Sequence, residues 1–176
     1  MKYRLPRYED KEILKEYVEE HYSNYERSIV ASAEMTNMEF TKWVEKVNGN
    51  SENGDDNWGM YYQYLAFDDN EKLVGMLSIR FDLPIELREK YGDIGYGVRP
   101  SERKKGYASE MLKYALNVCK EKNMDEVIVA CYDQNYTSKK IIEKNGGTFY
   151  RSIYDDRKIN DEWPLKLKFN FYKIRL

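Results

Sequence analysis

The chain has 176 residues, 41% of them hydrophobic and 34% charged, and its charges nearly cancel to a formal −2. That is enough for one domain with a real core, and it excludes a disordered chain. It also excludes a protein whose main task is to coat nucleic acid, because neutralising phosphates needs a basic excess. Seventeen tyrosines are the compositional oddity, suited to half-buried strands and cavity walls.

From the N-terminus, Met1 to Pro6 has no apolar signal-like core, and no run is long enough to span a bilayer. The expectation is a soluble cytoplasmic protein with no membrane or nucleic-acid partner, monomeric or homodimeric. Asp10 is placed to cap a helix with Ile13, Leu14, Tyr17 and Val18 on one face. His21, the single histidine, reads as a surface residue, and no metal site is expected from so few soft ligands. Ser23 to Met35 has no clear period; it either lines an acceptor site or simply connects. Thr36-Asn37-Met38-Glu39 matches a capping box opening a second helix with Phe40, Trp43, Val44 and Val47. Asn48 to Asn57 holds no residue beyond Gly, Asn, Ser, Asp and Glu and is expected to be a mobile loop.

Tyr61–Phe67 and Leu73–Phe81 read as strands joined by the turn residues 68–72, hence an antiparallel hairpin. A helical excursion over Leu83–Tyr91 precedes a short strand, Ile94–Val98. Gly95 and Gly97 in that strand signal a bulge or a close backbone approach. The most regular helix follows, with Ala108, Met111, Leu112, Ala115, Leu116 and Cys119 in one stripe and Asn123 as a left-handed stop. Val127–Cys131 reads as a buried, parallel strand. A helix over Tyr136–Lys144 and strands over Thr148–Tyr154 and Leu165–Ile174 complete an α/β (α+β) layered single domain over 1–176, built on a mixed sheet. Cys119 and Cys131 read as buried free thiols.

The chemistry concentrates between Asp93 and Gly147. Arg103-Lys104-Lys105-Gly106-Tyr107-Ala108 links the glycine-bearing strand to the long helix. The first amides of a helix lack internal partners and its dipole favours anions, Gly106 permits close approach, and three basic residues add charge. A pyrophosphate is the ligand this pattern invites. It is neither a Walker loop nor a dinucleotide fingerprint.

Here the sequence resembles the GNAT superfamily of N-acetyltransferases. The family's Arg/Gln-x-x-Gly-x-Gly/Ala element matches Arg103 to Ala108, and its Asn-x-x-Ala/Ser element matches Asn135-Tyr136-Thr137-Ser138. Ile94 to Arg103 resembles a bacterial subgroup of acetyltransferases. The resemblance implies a sheet of about six to seven strands, helices on both faces and central parallel strands that splay apart. It implies acetyl-CoA as co-substrate, held by Val98, Arg103 to Ala108, Asn135 and Ser138, with no metal.

Direct transfer to a primary amine of a small molecule or peptide is the implied reaction. The Val98 amide would serve the thioester oxygen. Asp93 would be the base, or else a turn aspartate after Gly92. The family's usual tyrosine acid, seven residues after the Asn, is Ile142 here. Tyr96, Tyr107 or Tyr136 then substitutes, or the thiolate leaves unprotonated, or the domain binds acyl-CoA without transferring. For the acceptor, Glu34, Glu39, Tyr61, Tyr62, Tyr64, Tyr154, Asp155 and Asp156 suggest acidic and aromatic walls suited to a cationic amine.

Overall fold

The computed structural model describes residues 1–54, 58–155 and 167–176. Seven strands form one sheet in the order β1-β2-β3-β4-β5-β7-β6: β1 Lys2–Arg4, β2 Met60–Phe67, β3 Leu73–Phe81, β4 Ile94–Val98, β5 Glu126–Tyr132, β6 Thr148–Asp155 and β7 Leu167–Arg175. The helices are α1 Lys11–Ser23, α2 Phe40–Asn53, α3 Ile85–Tyr91, α4 Tyr107–Glu121 and α5 Tyr136–Lys144. Every pairing is antiparallel except β4 with β5.

Two cores lie on opposite faces, as strand alternation requires. One gathers Leu77, Ile79, Met111, Leu112, Ala115 and Val129 beneath α4 and α5. The other gathers Leu14, Tyr17, Trp43, Val44, Val47 and Leu65 beneath α1 and α2. The β2–β3 hairpin turns at Asp68, whose carboxylate accepts from the amides of Asn70 and Lys72 at 3.0 and 2.9 Å. Asn123 adopts φ +58° just past α4, as a left-handed stop should.

Several local expectations are corrected. Strand β1 is added to the hairpin edge, pairing with Leu65–Phe67. The cap of α2 is Glu39 itself, whose carboxylate accepts from Thr41 N and Lys42 N at 3.0 Å each; Thr36 lies in a preceding tight turn. The same carboxylate that would have completed a capping box thus becomes the first residue of the cap. Helix α2 also runs on through Asn53, so 48–53 is helical rather than a loop. Two of its polar residues are held by hydrogen bonds: Asn48 donates to Pro6 O at 3.1 Å and Ser51 donates to Asn48 O at 2.7 Å. Asp10 does not cap α1 with its side chain. It takes both arms of Arg4 at 2.6 Å and the Arg7 amide at 2.7 Å. The last strand begins at Leu167, residues 165–166 lying outside those described.

The glycines of the central strands follow from crowding. A Cβ on Gly75 would sit 2.5 Å from Gly97 O, and one on Gly97 would sit 2.9 Å from Val30 O. Residues 29–33 lie directly over β4, anchored by Trp43 Nε1 donating to Ser32 O at 3.0 Å and Gln63 Nε2 donating to Ala31 O at 2.6 Å. The expectation of a close backbone approach at the glycine strand is met by this crossing. Gly75→Ala should therefore destabilise the fold by about 1–3 kcal/mol through overpacking, although alanine is otherwise acceptable in a strand. Urea unfolding of the two proteins measures this, and equal midpoints would show that the crossing is loose.

Candidate active site

The parallel strands β4 and β5 share a single register pair among the described residues, Ile94 with Val129, and then diverge. Toward β3 the ladder is complete, and Arg99 N donates to Val74 O at 2.8 Å beyond its end. Antiparallel alternation then turns the amides of Tyr96 and Val98 away from β3, into the gap. The Val98 carbonyl faces the same way and accepts from Arg103 Nε at 3.1 Å. Tyr96 Oη lies 3.0 Å from Ser138 Oγ, so two residues far apart in sequence meet at the split. Burial pushes the Tyr96 hydroxyl up to about 12, so it keeps its proton near neutrality.

A cavity of about 560 Å³ opens at this split. Its walls include Ile29 to Ala33 from the crossing segment, Gly95 and Tyr96 from β4, Ala130 and Cys131 from β5, and Asn135 and Ser138. Asn135 caps α5, its side chain accepting from Ser138 N at 3.0 Å. The period-less segment after α1 is therefore a wall of the cavity.

At the other end of β4, Gly106 stands at the start of α4 with φ +92° and open space around its missing Cβ. The first amides of α4, Tyr107 and Ala108 among them, have no acceptor within the helix. The basic residues before it are partly spoken for. Arg103 reaches Glu26 through both terminal nitrogens, at 2.5 and 2.7 Å. Lys105 meets Glu102 at 2.8 Å, a buried carboxylate that also takes Lys72 at 2.6 Å. Arg99 is paired with Glu20, which also accepts from Ser101 N at 2.7 Å. Lys104 sits at φ +65° between these anchored residues. The loop is thus stapled to α1 in advance, and its geometry fits an anion at the α4 terminus.

A family model for the acetyltransferase (GNAT) domain matches residues 2–148. The chain belongs to the GNAT acetyltransferase family. Among solved structures, the ribosomal L7/L12 alpha-N-protein acetyltransferase RimL, in complex with coenzyme A, superposes with a TM-score of 0.72 at 18% identity, covering 99% of this chain and 93% of that one. The acetyltransferase from Salmonella typhimurium that modifies the N-terminal serine of L7/L12 gives 0.69 at 18%, covering 99% and 94%. Spermidine N-acetyltransferase SpeG from Vibrio cholerae, as an F149A mutant, gives 0.68 at 15%, covering 99% and 95%. Among curated proteins, none matches significantly.

Within this GNAT domain, three residues singled out in the sequence take the following places. Asp93 is 2% exposed and is not among the residues lining the cavity. Arg88 Nε donates to both its oxygens at 2.9 and 3.0 Å, and Ile128 N donates at 2.6 Å, so it locks α3 to β5 in the manner of a turn aspartate rather than a base. His21 is buried, not superficial: its Nδ1 lies 2.7 Å from Glu26 Oε2, which places it behind the Arg103 ion pair. Ile142 is fully buried in the α4/α5 core. Of the expected acceptor walls, Glu34 and Tyr61 line the cavity. Tyr62 and Tyr64 face the opposite core, Glu39 is the α2 cap, Tyr154 is exposed, and Asp156 lies outside the described residues. The lining charges that sequence reasoning missed are cationic, above all Arg80. A lone arginine in the apolar run Leu73–Phe81 was the available signal.

Both cysteines are free and buried, and burial raises their thiols, to about 12 for Cys119 and about 11 for Cys131. Burial also lowers the pKa of His21 in the fold, more than Glu26 raises it. The native state thus disfavours its protonation. The stability it supports is present above the ordinary imidazole range and is lost as pH falls through that range. Glu26, held low by Arg103, adds a further loss at lower pH. Between pH 7 and pH 5 the wild type should lose more stability in urea than His21→Phe. Equal losses would mean that the buried imidazole does not carry this dependence.

Proposed function

We propose that the protein transfers an acetyl group from acetyl-CoA directly to a primary amine seated in the cavity. The observation that carries this reading is the split between β4 and β5, with the α4 terminus at one end and the 560 Å³ cavity opening onto the other. By family the chain is an acetyltransferase. The relatives named above act on a ribosomal protein N-terminus and on spermidine.

Bound acetyl-CoA would supply an acetyl group already activated as a thioester. Gly106 and the free amides of α4 would hold its pyrophosphate, with Arg103, Lys104 and Lys105 as nearby charge. Because Arg103 is already paired with Glu26, it positions the loop first, and contact with the anion requires it to share or exchange that partner. The Val98 amide, turned into the split, offers a fixed N–H to the carbonyl oxygen as charge builds there. Tyr96 keeps a proton at Oη beside Ser138, at the place where a departing sulfur needs one. Tyr96 thus takes the task for which Ile142 is unsuited. Asp93 keeps its structural place, and proton removal from the amine falls to solvent reached through the cavity mouth.

Two measurements test this. Gly106→Glu adds a side chain and a negative charge at a left-handed position facing the phosphate site. It should abolish acetyl-CoA binding in calorimetry, and retained affinity would move the cofactor elsewhere. Tyr96→Phe should lower kcat by on the order of a hundredfold while leaving acetyl-CoA affinity nearly intact, read by CoA thiol release over an amine panel. Unchanged kcat would remove Tyr96 as the proton donor. An absence of turnover with every amine, despite tight acetyl-CoA binding, would favour a non-catalytic acyl-CoA sensor.

A further inference from the structure

One end of the cavity holds a cation, Arg80, that has no ion-pair partner among the described residues. Arg80 projects from β3 into the lining, and its terminal nitrogens lie beside Gly95: a Cβ built there would fall 3.8 and 3.9 Å from them. The guanidinium therefore occupies the space next to β4, one residue from Tyr96. It carries five N–H donors. One nitrogen donates to Gly92 O at 3.2 Å, and no carboxylate lies within 4 Å among the described residues.

The nearest acid cannot neutralise it. Asp93 is taken by Arg88 in a two-oxygen pairing and by the Ile128 amide. Arg88 thus takes that carboxylate, and the positive charge of Arg80 faces the cavity without a carboxylate partner among the described residues. The lining carboxylate Glu34 is paired with Lys46 at 3.3 Å. The remaining charged lining residues among those described, Arg27 and Lys90, are cations as well. Burial also works against the charge on Arg80, lowering its pKa. A second cation brought here would be repelled, whereas a planar anion would meet a fork shaped for it.

We infer that the acceptor is an amine bearing a carboxylate close to its amino group, an amino-acid-like substrate, whose carboxylate docks on Arg80 while its amine lies over Gly95 toward Tyr96. The absence of a side chain at Gly95 leaves the space beside the Arg80 guanidinium open. This assignment rests on the transfer reading for its amine, but the carboxylate site can be tested without turnover.

The experiment compares the products. N-acetylated standard amino acids, their N-acetyl amides and N-acetyl aminoalkyl phosphonates are titrated into the full-length protein by calorimetry. The same amino acids, amides, phosphonates and spermidine are then assayed for acetyl-CoA consumption. At least one acid should bind on the order of tenfold or more tighter than its amide, the loss expected when a charged hydrogen-bonding partner is removed. Arg80→Met should erase that preference without altering acetyl-CoA affinity, and Arg80→Lys should keep part of it. Should Arg80→Met not fold, the wild-type ratio and Arg80→Lys still decide. Equal binding of acid and amide, binding of no acid, a preference for phosphonates or spermidine, or an acid preference that survives in Arg80→Met would each overturn the assignment. Acid-selective binding with no turnover of any amine would instead keep the carboxylate site and sink the transfer reading.

Discussion

The single bridge between Ile94 and Val129 is the constraint from which the rest of the site follows. Parallel strands that stayed together would pair the amides of Tyr96 and Val98 with β5 and leave nothing to offer a ligand. By parting after one pair, they leave polar backbone groups in the middle of a sheet, a cost that folded proteins rarely accept without a partner. The chain compensates on the far side of β5. Antiparallel pairing with β7 runs the full length of β5, from Glu126–Arg175 to Tyr132–Phe169. The opening is thus a local fault held in an otherwise continuous sheet.

The crossing segment 29–33 completes the arrangement from the other face. It has no regular structure, yet buried side chains fix it at Ile29 and Met35 and hydrogen bonds fix it at Ala31 and Ser32. Positive φ values at Ala31, Ala33 and Glu34 bend it over β4. Such a backbone is strained for residues with a side chain. It persists because Trp43 and Gln63, on two different elements, hold its carbonyls. The loop before α4 is secured in a comparable way, by the carboxylates of Glu20, Glu26 and Glu102.

Periodicity made most of the fold legible: α4, β5 and the β2–β3 hairpin follow directly from their patterns, and the motif around Gly106 located the helix terminus. What stayed hidden is physically of one kind. Glu26 and Glu20 sit at the end of α1 or beyond it, far along the chain from Arg103 and Arg99, and no spacing rule connects them. His21 has the polar sequence neighbours Glu19, Glu20 and Tyr22, whereas in the fold it packs on the Tyr17 ring and meets the returning Glu26. The polar stretch after Val47 has the composition of a loop, but backbone carbonyls such as Pro6 O supply partners that composition does not reveal. Asp93 carried the right residue type for a base, and only the geometry of Arg88 shows its charge already committed.

The two glycines of β4 are not equivalent, and the difference sets how the site tolerates change. At Gly97 the backbone of Val30 occupies the position a side chain would need. At Gly95 an added methyl would meet only ordinary contacts with Ala31 and Arg80. Gly97 is therefore a structural requirement of the crossing, whereas Gly95 works as a depth gauge. An alanine there would narrow the cavity beside Arg80 without displacing its neighbours. The volume of the cavity can change at that one position while the crossing over Gly97 stays in place.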